Sequence, residues 1–278
     1  MKKITLLLVA TVAFVQISWA GFPIGFGRWM LTPGYNFYLA RGTWDKSGNY
    51  SAYSNGTFNS HYIGFSGGYG LSRRLDFLFT LPIVVQLDNN TGGNGSFLAG
   101  GFGDAKLGLS YFFTDFDAIN HVSLTGSLII PLYTNRPSPY PVLGYQSFGT
   151  EVKLGFSGSA TGGFRNPYYD MEFGVRQYFD SDGPTQLFAN ITGGVPLDDD
   201  WKISGTISGV NSLSTSTTVV TPGKGYNFTK NFEYVRSAFN IGRVINENVS
   251  IWGGLYADIW GSNCARGSGV SVSAVIKF

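Results

Sequence analysis

Charge is scarce in this chain. Only 13% of its 278 residues are Asp, Glu, Lys or Arg, about half the share of an ordinary soluble domain. Cysteine is nearly absent, and the single Cys264 has no second thiol with which to close an intrachain bridge. A disulfide-stapled secreted scaffold is therefore excluded. Beyond residue 20 no apolar run approaches the roughly 18 residues that a membrane helix needs, which excludes a helical membrane protein even though 43% of the chain is hydrophobic. Net charge is missing as well. Of the 19 basic residues, Lys2 and Lys3 lie at the extreme amino end, and the others match the 17 acidic ones. A chain without a basic surplus lacks the electrostatic footprint of nucleic-acid binding.

Glycine, with 39 residues, phenylalanine, with 23, and tyrosine, with 16, dominate instead. That vocabulary builds strands and turns, while the helix formers Ala, Glu and Lys are few. Residues 1–20 have the three parts of a secretory leader: Lys2-Lys3, an apolar stretch from Ile4 to Val15, and Ser18-Trp19-Ala20 ahead of Gly21. The expected domains are a signal peptide over 1–20 and a single β domain over 21–278. From Gly21 onward, period-2 alternation recurs in segments of about ten residues bounded by turn formers. Twelve such strands are predicted: 34–44, 59–70, 75–86, 104–113, 121–132, 149–159, 168–179, 186–194, 201–210, 232–244, 249–260 and 269–278. Connections after the even strands are short, and those after the odd strands are mostly longer and polar. A soluble sandwich has no reason to sort its loops this way, whereas an outer-membrane barrel has short periplasmic turns and long outer loops. The predicted fold class is all-β, a transmembrane antiparallel β-barrel of about twelve strands, with both termini on the periplasmic side.

The faces agree with this. Asp104, Lys106, Gly108 and Ser110 alternate with Ala105, Leu107, Leu109 and Tyr111, and Glu151, Lys153 and Gly155 alternate with Val152, Leu154 and Phe156. With the apolar parity toward lipid, the charges expected inside are Asp76, Asp104, Glu151, Asp170, Glu172 and Asp258 against Lys106, Lys153, Arg176, Lys202, Arg236 and Lys277. The signs balance, so pairing across neighbouring strands is expected rather than a strongly ion-selective path. The aromatic residues expected in the lumen are Tyr38, Tyr62, Tyr178, Phe188, Tyr234, Trp252 and Tyr256. Rings with polar tips suit either small aromatic solutes or the filling of a small barrel. The last strand places Val270, Val272, Ala274, Ile276 and the terminal Phe278 on one face, an ending that resembles the assembly signal of bacterial outer-membrane barrels.

Tyr69-Gly-Leu-Ser-Arg-Arg-Leu-Asp-Phe-Leu-Phe-Thr-Leu-Pro-Ile83 and Gly101-Phe-Gly-Asp-Ala-Lys-Leu-Gly-Leu-Ser-Tyr-Phe-Phe113 resemble the outer-membrane barrels assigned to transport in the MetA pathway of phenol degradation. The likeness is similar in style over 149–159 and 168–179 and so spans most of the mature chain. It implies a relative of the long-chain fatty acid and aromatic hydrocarbon transporters, and hence passive passage of small hydrophobic or aromatic compounds. The alternatives are a general diffusion porin or a sealed structural barrel. Those larger transporters carry a long amino-terminal plug, and only 21–33 precedes the first predicted strand here, so no comparable plug is expected.

Catalysis is not expected. An outer-membrane phospholipase needs His and Ser within reach on the outer wall, but His61 has Asn59 and Ile63 as its same-face neighbours, and the His-x-Ser-Asn-Gly pattern is missing. Both His61 and His121 are read as interfacial or turn residues. The acidic clusters at 180–183 and 198–200 lack the closing Glu of a Ca²⁺ loop and are read as turns. Cys264 is read as an outer-loop thiol. No metal or cofactor is expected. The expected partners are outer-membrane lipid and lipopolysaccharide, the barrel assembly machinery and a small hydrophobic or aromatic solute.

Overall fold

The computed structural model describes residues 21–53, 56–90, 96–114, 118–136, 140–160, 165–214 and 230–278, and the expected leader lies outside these described residues. They contain no helix. The strands are β1 (Trp29–Trp44), β2 (Tyr50–Ala52), β3 (Thr57–Gly70), β4 (Leu75–Asn90), β5 (Ser96–Phe102), β6 (Asp104–Phe112), β7 (Asn120–Pro131), β8 (Gly149–Ser159), β9 (Tyr168–Tyr178), β10 (Thr185–Pro196), β11 (Trp201–Leu213), β12 (Phe232–Asn246), β13 (Val249–Ser262) and β14 (Cys264–Lys277). Neighbours pair antiparallel, and β14 returns to β1 from Met30 opposite Lys277 to Trp44 opposite Cys264, which closes the wall.

The two short strands prolong others. β2 extends the line of β3 along β1, with Ala52 facing Gly42 just beyond Phe58 facing Ala40. β5 extends the line of β6 along β4, with Phe102 facing Ile83 and Lys106 facing Thr80. The closed wall therefore has twelve strands, as the alternation predicts. Part of what reads as long loop, at 50–52, 57–58, 87–90 and 96–102, is sheet. Cys264 opens β14 instead of lying in a loop, and its Sγ donates to the Glu233 carbonyl at 3.1 Å. The one residue between β13 and β14 is Asn263, at φ 53°, a left-handed turn that Asn tolerates. Prolines fall where a ladder ends or pauses. Pro131 and Pro196 are terminal strand residues. Pro33 lies in the gap of the β1–β14 ladder between the Leu31–Ile276 and Gly34–Ser273 pairs, with the register unchanged across it, and Pro82 lies where β4 passes from β6 to β5.

Side-chain parity fixes inside and outside. Leu107, Leu109, Val152, Leu154, Phe173 and Val175 are exposed on the outer surface, while Glu151, Asp170, Glu172, Arg236 and Asp258 are buried within. A bare apolar belt around a charged interior is the reverse of a soluble core and the pattern of a lipid-facing barrel. The start of β1 and the end of β14 meet at the short-turn end, where Trp29 and Phe278 exchange backbone hydrogen bonds of 3.2 and 3.0 Å. The acidic clusters form turns as expected. Asp180 Oδ1 accepts from the Ser181 amide, and Asp198 Oδ1 accepts from the amides of Asp200 and Trp201.

Candidate functional site in the lumen

The lumen has two unlike walls. The first is charged and runs over β6, β8 and β9. The β8–β9 register sets Glu151 opposite Arg176, Gly155 opposite Glu172 and Ser157 opposite Asp170. Glu151 Oε2 accepts from Lys106 Nζ at 2.7 Å and Arg176 Nη2 at 2.6 Å, and Lys153 Nζ meets Glu172 Oε1 at 2.6 Å. Lys106 reaches across β7 to do this. That strand turns Ser123, Thr125, Ser127 and Ile129 inward there, and the short Ser127, which faces Glu151, leaves room for the long ammonium arm. Burying so many charges is tolerable only because they are paired and hydrogen-bonded. The expected cross-strand pairing is thus present. Lys202 stands apart from it, lower on β11 opposite Pro196 and Gly242.

The second wall is aromatic and runs over β12, β13, β1 and β3. Tyr38 and Tyr256 stack with centroids 6.3 Å apart at 4°, and Phe58 meets Tyr38 edge-on. Arg236 lies over the rings of Tyr38, Tyr234 and Tyr256 at 5.3, 5.2 and 4.7 Å, while its Nε donates to Asp258 Oδ1 at 2.8 Å. Tyr38 donates to the other Asp258 oxygen at 2.6 Å. Tyr62 and Trp252 are buried on the same wall. Several of these rings lie over a glycine of the adjacent strand: a Cβ at Gly269 would strike Tyr256, one at Gly267 Tyr38, and one at Gly242 Trp252. Abundant glycine is thus the space in which the rings lie.

Phe188 and Tyr178 belong to the charged side instead. Arg176 covers the Phe188 ring at 5.3 Å. Tyr178 packs on Tyr145 at 4.6 Å and donates to Asp104 Oδ2 at 3.4 Å.

Two segments that sequence patterning misses enter the lumen. At the long-loop end, the described parts of 132–148 fold inward. Tyr133 donates to Asp104 at 2.8 Å, Gln186 donates to the Tyr145 hydroxyl at 3.1 Å, and Leu143 packs on the cluster of Tyr62, Val84 and Leu87. Asn135 ties this turn together through the Leu143 amide and the Gly144 carbonyl. Burial pushes the Tyr145 phenol up to about 12 and raises Tyr133 further, so both remain O–H donors at neutral pH.

At the short-turn end, 21–27 crosses the mouth as a strap. Its root pairs with β3 through Phe26 and Gly70, the Ile24 amide donates to Asp76 Oδ2 at 2.8 Å, and Gly21 ends against Ser157 and Asp170 on the far wall. What precedes β1 among the described residues is this short strap, not a plug comparable to that of the larger transporters. His121 departs from the expected interfacial or turn position. It is buried inside, edge-on to Phe22 and Phe112 at 5.8 and 6.1 Å. His61 does lie outside, where Tyr35 Oη meets its Nδ1 at 2.7 Å.

This arrangement offers neutralised charge on one side, polar-tipped rings on the other and a narrowing at each end. No protein-family model and no curated protein matches the chain. Among solved structures it is similar to the COG4313 outer membrane channel from Pseudomonas putida F1, with TM-score 0.75 at 13% identity over 94% of this chain and 99% of that one. It is also similar to the NanC porin, with TM-score 0.53 at 7% identity over 90% and 100% of the two chains. A further likeness is to the translocator domain of the autotransporter NalP from Neisseria meningitidis, with TM-score 0.50 at 12% identity over 91% and 89%. What is shared at these identities is the fold, and the chain has the architecture of outer-membrane β-barrels.

Proposed function

We propose that the protein resides in the outer membrane as a channel for passive passage of small hydrophobic or aromatic compounds, and that it performs no chemistry. The observation behind this reading is the ring wall, in which Trp252, Tyr256, Tyr38 and Tyr62 line the inner side of one barrel and pack against one another and their neighbours, so that a solute would meet them only as the rings shift. Such faces bind aromatic and alkyl groups without demanding a charge. The likeness to a solved outer membrane channel and a porin supports the channel role. The resemblance to the MetA-pathway barrels supplies the substrate class. A general diffusion porin fits less well, because the polar wall is self-neutralised and both ends are narrowed.

Replacing Trp252 and Tyr256 together by Ala should change uptake of an alkyl-phenol probe in cells while the barrel still folds. Uptake that is equal in the parent and a deletion strain defeats the channel reading. The second reading, a sealed barrel acting through its outer loops, is favoured by the strap and the inward loop. It requires that the purified protein in planar bilayers shows neither conductance nor solute-dependent block.

The outer belt would meet membrane lipid and lipopolysaccharide, and Phe278 would serve recognition by the assembly machinery. Deleting Phe278 should lower the amount of heat-modifiable barrel in cells while refolding in detergent is preserved. Undiminished assembly in cells removes that role.

A further inference from the structure

Cations are not placed evenly along the lumen. Lys106 and Arg176 are taken up by Glu151, Lys153 by Glu172 and Arg236 by Asp258. The short-turn mouth differs. Lys277 stands opposite Met30 where β14 closes on β1, Arg28 comes two residues before that partner, and Lys202 has the inward parity of β11 opposite Gly242. The charges that act on Lys277 are those of Lys202 and Arg28, both positive. Neither Lys202 nor Arg28 forms an ion pair among the described residues. The inward acids of this end, Asp76 and Asp170, belong to β4 and β9, beside the strap. Three cations thus share one mouth, with Arg28 and Lys277 exposed, and their mutual repulsion is a cost that a bound anion would relieve.

The cluster adjoins the ring wall. Trp252 lies close to the short-turn start of β13 at Val249, and its ring covers Gly242, whose neighbour on the other side is Lys202. Trp252 and Lys202 therefore flank one glycine, about 10 Å apart across two strand spacings. The lysine arm and a short alkyl chain together span that gap. We propose that this mouth binds the carboxylate of an amphipathic aromatic acid, the head between Lys202, Lys277 and Arg28 and the ring entering beside Trp252 as the ring wall shifts. Two ammonium groups and a guanidinium supply charge-assisted donors to the head. The proposal rests on the channel reading above and narrows its substrate class. An acid is ionised at neutral pH and gains from the cations, whereas a phenol, with an ordinary pKa of about 10, arrives neutral and gains little.

The test is equilibrium dialysis of 4-phenylbutyrate and its neutral amide, 4-phenylbutyramide, against the folded barrel in discs of uncharged phospholipid, with empty discs subtracting uptake by lipid. At low salt the acid should bind at least about tenfold more tightly than the amide, the effect of one charge among three opposite ones near water. Half-molar salt should erase most of that preference, since these charges face solvent. The double variant Arg28→Gln with Lys202→Gln should bind the amide as the wild type does and lose the preference for the acid. Equal binding of the two compounds by the wild type overturns the proposal and leaves the channel reading standing. A preference that survives in the double variant or in high salt places the acid elsewhere and also overturns it. Binding of neither compound defeats the proposal together with the ring wall as a contact surface. If the double variant does not fold, the salt dependence of the wild-type preference decides.

Discussion

The charged wall and the ring wall fill the same lumen by opposite means, and they differ in how they fail. On the charged side the strands carry long polar side chains that find partners across one or two neighbours, and Glu151 serves both Lys106 and Arg176. Removing one group there strands others. On the aromatic side the strands carry glycines under rings, as at Gly269 under Tyr256, and an ion pair, Arg236 with Asp258, is wrapped in tyrosine faces. Adding an atom there is what does harm. The first wall depends chiefly on electrostatic completeness, with Gly174 making room for Phe188, and the second on empty volume.

The harshest way to break this contrast is Glu151→Gln. The amide keeps the shape but leaves two buried cations facing each other, a loss of about 3 kcal/mol or more. The temperature at which the heat-modifiable form disappears should fall clearly. An unchanged transition would show that water in the lumen screens the pair. The matching deletion in the ring wall is Asp258→Asn, and it should cost less, about 2 kcal/mol. The amide oxygen still accepts from Tyr38, and three rings continue to face the guanidinium, each worth roughly 0.5–1 kcal/mol. Equal losses in urea titrations of the two variants would erase the distinction.

How much of this could be read from the chain follows from what each feature depends on. Parity is local, so the inward charges from Asp104 to Asp258 and the inward rings are legible from alternation alone. The barrel class follows from the rhythm of turns for the same reason. Strand ends are less legible, because polar and glycine-rich residues such as 87–90 and 264–268 extend the sheet where patterning signals a loop. Cys264 is misplaced on that account. The strap is not legible at all. Gly-Phe-Pro-Ile-Gly-Phe-Gly has no period, and its partners Asp76, Ser157 and Asp170 are distant in sequence. Only the burial of Gly21 against Ser157 and Asp170 reveals it. The inward fold of 132–148 escapes for the same reason, since Tyr133 and Tyr145 look like ordinary loop aromatics until Asp104 and Gln186 are seen opposite them.

The finest test compares an inward glycine with an outward one. Gly269 lies in β14 and Gly205 in β11, both in strand interiors. A Cβ on Gly269 would meet the Phe37 carbonyl and the Tyr256 ring, whereas one on Gly205 would meet nothing within 4 Å. Gly269→Ala must therefore push a ring or a strand aside, at about 1–3 kcal/mol. Gly205→Ala loses nothing in contacts and removes the conformational freedom of glycine in the unfolded chain, a gain of roughly 0.5 kcal/mol. Urea unfolding of the two variants in detergent should move in opposite directions. If both destabilise, glycine in this barrel is kept for backbone shape throughout, and room for the Tyr256 ring is not what Gly269 supplies. If both are neutral, the rings over β14 are loosely held, and the tyrosines are free to shift for a passing solute.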